Sequence, residues 1–76
     1  MKIYLGGYLS FYHAQRQSYL EVDADQPSRL VELLNRLDFP LQEVYLVSLN
    51  GEKVELQEAV VSEGDHVKLF SAVGGG

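Results

Sequence analysis

Gly74-Gly75-Gly76 ends in a free carboxylate, and this is the group in the sequence best arranged to take part in chemistry. Glycine has no side chain to pack and loses the most backbone freedom when ordered, so these residues add nothing to a core. They offer a thin strip of backbone about 10 Å long that a narrow channel in another protein can admit. A frayed chain end is the competing reading of an isolated glycine run. That reading gives way if the preceding chain is a compact domain that presents the tail.

Other chemistries are poorly supplied. There is no cysteine, which removes disulfides, thiolate metal sites and thiol nucleophiles. His13 and His66 stand far apart without metal-ligand spacing; His13 falls in a polar turn and His66 on the outer face of a strand, so no metal site is expected. No nucleophile elbow or phosphate loop is present. Gly6-Gly7 lacks the third glycine of a dinucleotide fingerprint and reads as a bend or bulge in a strand. The chain is therefore not expected to be an enzyme.

The 76 residues, 46% of them hydrophobic and 22% charged, suit one small folded domain. A net charge of −5 repels nucleic acid and anionic membranes and is expected to attract a partner with a basic face. No apolar run approaches the ~18 residues of a membrane span, and the start Met1-Lys2-Ile3-Tyr4-Leu5 lacks a signal peptide's apolar stretch, so a cytoplasmic protein is expected.

The elements that must hold the tail follow from pattern. Lys2 to Tyr12 and Ser18 to Asp23 alternate roughly, with the polar run His13-Ala14-Gln15-Arg16-Gln17 between them, and predict a hairpin. Asp23 to Ser28 reads as a helix entrance, with acidic groups near the positive end of the dipole and Pro27 in the first turn. Leu30, Leu33, Leu34 and Leu37 then form one stripe on a helix from about Pro27 to Asp38, which Pro40 ends. Glu43 to Leu49 is β-rich, Asn50-Gly51 is a strong hairpin turn, and a short strand returns around Lys53 to Leu56. Gln57 to Ser62 carries Ala59, Val60 and Val61, some of which plug the core. Glu63-Gly64-Asp65 is a turn, and His66 to Phe70 a last strand with Val67 and Leu69 on one face and Phe70 on the other.

One leucine stripe is buried by laying the helix across one face of a mixed sheet. Placing the first and last strands side by side at the centre, with the hairpins flanking them, makes the crossover right-handed. The expected fold is α+β: a β-grasp, or ubiquitin-like, mixed sheet of four to five strands with one main helix. Residues 1–73 form the domain and residues 74–76 the tail.

Leu49-Asn50-Gly51-Glu52-Lys53-Val54, followed by the run from Val61 to Gly76, resembles the MoaD/ThiS family of sulfur carriers. That family shows an N-G hairpin turn, a G-D-x-V turn into the last strand and F-x-x-V-x-G-G at the end. The element order before these motifs also fits, so the resemblance extends over essentially the whole chain. It implies a carrier protein. An E1-like adenylyltransferase, using ATP with its metal, would adenylate the Gly76 carboxylate, and a sulfur nucleophile would displace AMP to leave a thiocarboxylate. The carrier itself binds no cofactor. Glycines suit this role because a side chain near the acyl carbon would obstruct the phosphate and the later acceptor.

By position Gly75 and Gly76 match the family's glycine pair, and Gly74 fills its variable site. Phe70 matches the aromatic that docks on partners, with Val73 beyond it. Val54 and Leu5 carry over as further docking positions, though both read first as core. The first strand departs from the molybdopterin carriers, which continue F-x-x-L-R where this chain has Leu5-Gly6-Gly7-Tyr8-Leu9-Ser10. Ser71 and Ala72 replace the usual prolines and give the base of the tail more backbone freedom. Length and the F-x-x-V-x-G-G ending lean towards sulfur delivery for molybdopterin or tungsten pterin, with the large synthase subunit as second partner. Thiamin thiazole synthesis, with a thiazole synthase, is the alternative acceptor pathway. A ubiquitin-like modifier joined through Gly76 to a lysine, or a plain binding module with an idle tail, are different classes that share the fold. A monomer is expected for the carrier alone.

Overall fold

A computed structural model of the chain describes residues 1–6, 9 and 18–71. The far half of the expected first strand, the loop with His13, and Ala72 to Gly76 lie outside the described residues. Elements follow in the order β1 (Lys2–Leu5), β2 (Tyr19–Glu21), β3 (Ser28–Arg29), α1 (Leu30–Arg36), a 3₁₀ turn (Leu41–Glu43), β4 (Leu46–Leu49), β5 (Glu52–Val54), β6 (Val60–Val61) and β7 (His66–Phe70). The main sheet runs β2-β1-β7-β4-β5, and β3 with β6 makes a separate two-stranded pair. At the centre β1 and β7 are parallel, with Ile3 opposite Val67 and Leu5 opposite Leu69, and every other pairing in the main sheet is antiparallel. The chain has the mixed sheet and single helix of the β-grasp fold.

Alternation decides the two faces. Ile3, Leu5, Val47, Val67 and Leu69 point inwards and join Leu30, Leu33, Leu34, Phe39, Ala59 and Val61 in one core. Leu9, whose N–H bonds the Gly6 carbonyl at 3.3 Å, is fully buried too. β1 ends at Leu5, and neither Gly6 nor Leu9 belongs to a strand.

The helix is shorter than its leucine spacing predicts. It begins at Leu30, because Ser28 and Arg29 pair with Val61 and Val60 as extended chain, leaving Pro27 outside the first turn. Arg29 is the N-cap without a side-chain cap, and the Leu30 N–H is satisfied by the Ala59 carbonyl at 3.0 Å. A carbonyl from a distant loop thus takes the place of a local capping oxygen. Glu32 in the first turn and Arg36 in the last complement the helix dipole. At the other end, Leu37 is the C-cap and Asp38 takes a left-handed φ of 56°, so the helix closes before Pro40. The chain reverses there, the Phe39 N–H bonds the Leu34 carbonyl at 2.9 Å, and the Phe39 ring is buried while Leu37 is 44% exposed. Phe39 therefore takes the core place expected of Leu37.

Two turns lock the sheet from outside. Asn50 (φ 53°) and Gly51 (φ 89°) both hold positive φ, the geometry that a two-residue turn between right-twisted strands requires. The Asn50 side chain also reaches the turn before β7: its amide donates to the Asp65 carboxylate at 3.1 Å and its oxygen accepts the His66 N–H at 2.9 Å. The other Asp65 oxygen accepts the Ser62 N–H at 2.9 Å. The G-D-x-V turn is thereby tied to the N-G turn, which fixes where β7 starts.

Leu34→Ala is expected to cost about 2–5 kcal/mol, whereas Leu37→Ala costs less than about 1 kcal/mol; urea unfolding of the two variants checks the placement. The backbone bond from Ser62, then the Asn50 amide and, more weakly, the nearby His66, hold the Asp65 carboxyl below its ordinary 3.8, against a small opposing effect of burial. A lowered carboxyl pKa adds stability that is full above the unfolded value and is lost as pH falls through the folded one. Asp65→Ala is therefore expected to lower the unfolding midpoint at neutral pH, with the gap to the parent narrowing below about pH 4; denaturation curves at neutral and acid pH test this.

Candidate carrier site and docking face

Phe70 is the last residue of β7, the central strand, and six residues of chain follow it. Fully extended, six residues reach at most about 20 Å, which bounds how far from Phe70 the terminal carboxylate can be used. Gly74, Gly75, Gly76 and Val73 lie outside the described residues, so the structure defines the base from which the tail departs.

That base is built by cross-strand register. Opposite Phe70 on β4 stands Leu46, and the Phe70 carbonyl accepts the Tyr45 N–H at 2.7 Å. On the other side the Gly6 N–H bonds the Leu69 carbonyl at 2.7 Å, which extends the β1–β7 ladder by one step. The Phe70 ring lies over this glycine. A Cβ placed on Gly6 would stand 2.7 Å from Phe70 Cδ1 and 3.2 Å from the Leu69 carbonyl oxygen. The bare backbone of Gly6 is the seat of the ring, a role that the sequence, which suggests only a bend there, does not reveal. Phe70 keeps 38% of its surface exposed, on the outer face of the sheet with His66 and Lys68, as expected.

The remaining docking candidates separate. Leu5 is 5% exposed and packs in the core, so its side chain is not on the face that carries Phe70. Val54 pairs with Val47 and packs half-buried against the core from β5, also on the inner face. Both are core residues, because alternation turns them to the helix side. The outer face instead presents Tyr4, 41% exposed, beside Phe70 and Leu46. A groove lined by Glu21, Val22, Asp23, Leu33, Arg36 and Leu37 lies between the end of β2 and the helix, away from the tail. Among the described residues no cluster of three His, Cys, Asp or Glu side chains is placed to hold a metal, and no helix is long and apolar enough to cross a membrane.

The model of the ThiS family matches residues 10–76, through the last glycine. The chain belongs to the ThiS family. Proteins of this family are sulfur carriers, served by an E1-like activating enzyme and a synthase that takes the sulfur. Among solved structures, the chain is similar to the crystal structure of a thiamine biosynthesis protein (ThiS) from Geobacter metallireducens, at 28% identity and a TM-score of 0.57, with all of both chains covered. No curated protein matches the sequence significantly.

Because the Phe70 ring is partly exposed, Phe70→Ala is expected to cost less than about 1.5 kcal/mol, against about 3–5 for a buried aromatic, while weakening binding to the activating enzyme at least about tenfold. Gly6→Ala is expected to weaken binding too, by pushing the ring off its seat, and to add little further loss when Phe70 is already alanine. Melting curves and binding measurements on the two single variants and the double variant check both statements.

Proposed function

We propose that this carrier donates sulfur for the thiazole ring of thiamin. The observation that carries the reading is the ThiS family match running through the terminal glycine, and the whole-length likeness to a thiamine biosynthesis protein supports it. The lean towards molybdopterin rested on length and on the F-x-x-V-x-G-G ending, and the comparisons favour the thiamin alternative over it.

In this reading Gly76 is the reacting residue. Its carboxylate oxygen attacks the α-phosphorus of ATP held by the E1-like enzyme, and pyrophosphate leaves. The acyl adenylate turns an inert carboxylate into an electrophile. A sulfur nucleophile then adds to the acyl carbon, the C–O bond to AMP breaks, and a thiocarboxylate remains. A thiazole synthase takes the sulfur, an oxygen from water or from the sulfur acceptor takes its place on the acyl carbon, and the carboxylate is released for another round. Gly74 and Gly75 let the reacting carbon enter both active sites, since any Cβ there would widen the strip. Phe70, with Val73 beyond it, anchors the domain on the enzyme, and positioning by a tether of about 20 Å replaces diffusion of a free acid. This chain holds no cofactor, and the nucleotide and its metal belong to the activating enzyme.

Intact-mass analysis of the protein from its host is expected to show one terminal oxygen replaced by sulfur, and a strain carrying only the Gly76-deleted form is expected to need added thiazole for growth. Loss of pterin-enzyme activity with normal growth lacking thiazole would transfer the sulfur to the molybdopterin pathway. Adducts on other proteins through Gly76 would make the chain a modifier, and an unaltered terminus under all conditions would leave the tail idle.

A further inference from the structure

The chain has two asparagines, and they meet different surroundings. Asn35 lies within α1 and is followed by Arg36. Asn50 is exposed in a turn and is followed by Gly51, also exposed, where no atom beyond the chain neighbours lies within 4 Å of the place a Cβ would take. An asparagine before a glycine is chemically labile: the main-chain nitrogen of the glycine can attack the side-chain amide carbon, and no Cβ hinders it. What opposes that reaction here is a clamp across to the start of β7. The Asn50 Nδ2 donates to Asp65 Oδ1 at 3.1 Å, its Oδ1 accepts the His66 N–H at 2.9 Å, and its main-chain N–H donates to the His66 carbonyl at 2.7 Å. Both ends of the side-chain amide are held towards residues 65 and 66, whereas ring closure has to turn the amide carbon onto the Gly51 nitrogen.

We propose that Asn50 is a site of spontaneous covalent modification, deamidation through a cyclic imide, and that the Asp65 carboxylate restrains it by holding the amide group. In the reaction the Gly51 N–H gives its proton to solvent base, the nitrogen bonds to Asn50 Cγ, and the Cγ–Nδ2 bond breaks as ammonia leaves with a proton from solvent. Water then opens the imide at either carbonyl, giving aspartate at position 50 or an isoaspartyl link whose main chain runs through the side chain. Neither product fits the clamp. Aspartate puts a carboxylate where the donor stood, within hydrogen-bond distance of Asp65, and like charges there repel. The isoaspartyl link adds a carbon to the main chain of a two-residue turn whose φ values of 53° and 89° suit the twist of the flanking strands. Either change loosens the start of β7, the strand that carries the tail. The site belongs to the domain itself and stands whatever acceptor receives the sulfur.

The test incubates the purified full-length chain in mildly alkaline buffer made with heavy-oxygen water and follows Asn50 by peptide mass mapping, with Asn35 as the internal reference. The folded parent is expected to deamidate at Asn50 at least about tenfold more slowly than the same chain in urea, because ring closure requires the turn to open. Asp65→Ala removes one of the two side-chain bonds and is expected to speed the reaction of the folded chain at least about threefold. Leu34→Val, which lowers stability from the helix layer and leaves the clamp intact, is expected to stay close to the parent, and melting curves establish that both variants fold. Asn50→Asp is expected to melt below the parent at neutral pH, with the gap narrowing in acid as the carboxyls are protonated. An Asn50 that survives in urea as long as Asn35 would refute the site. A folded parent that reacts as fast as the unfolded chain, or an Asp65→Ala chain that reacts no faster than Leu34→Val, would refute the restraint. An Asn50→Asp chain as stable as the parent would refute the loosening of β7.

Discussion

Parallel pairing of the first strand with the last is the constraint on which the rest of the structure depends. Parallel neighbours cannot be joined by a tight turn, so part of the intervening chain must cross over one face of the sheet, and the helix is what crosses. That layer buries the inward side chains of β1 and β7, which form the middle of the core. Among the described residues no element covers the opposite face of the sheet.

The same pairing places the terminal strand in the centre of the sheet instead of at an edge. Phe70 is therefore held from both sides, by the β4 ladder through Tyr45 and by the extension of the β1 ladder through Gly6. A tail rooted on an edge strand would inherit the fraying of that edge. Rooted here, the tail leaves from an anchor held on both sides, with the Phe70 ring fixed at its base. The Asn50 and Asp65 bonds serve this geometry from the far end of β7, where they set the register that alternation then carries to Phe70.

A carrier handed from one protein to another needs no pocket. The chemistry of a terminal carboxylate is supplied by whichever enzyme surrounds it, and the carrier contributes access to its end. Access comes from glycine, which lets a main-chain end pass where side chains cannot. The structure adds a fixed base for that end, with the Phe70 ring half-exposed on the outer face of the sheet. The core and the exposed Phe70 ring thus sit on opposite sides of the sheet, so changes at Phe70 or Lys68 are separable from changes in the core.

By itself the sequence determined the order of the five main-sheet strands and the helix, the Asn50-Gly51 turn, the inward set Val67 and Leu69, and the outward Phe70, but not the β3–β6 pair. Each determined feature is local: a period of two or a turn needing positive φ acts over a few neighbours. The helix limits were decided by residues far away. Ser28 and Arg29 extended to meet β6, Ala59 supplied the missing cap, and Asp38 turned Phe39 into the place predicted for Leu37. The seat of Phe70 on Gly6 was likewise a product of register. Residues more than sixty positions apart become neighbours only when β1 and β7 pair, and no local spacing encodes which side chains that pairing sets side by side.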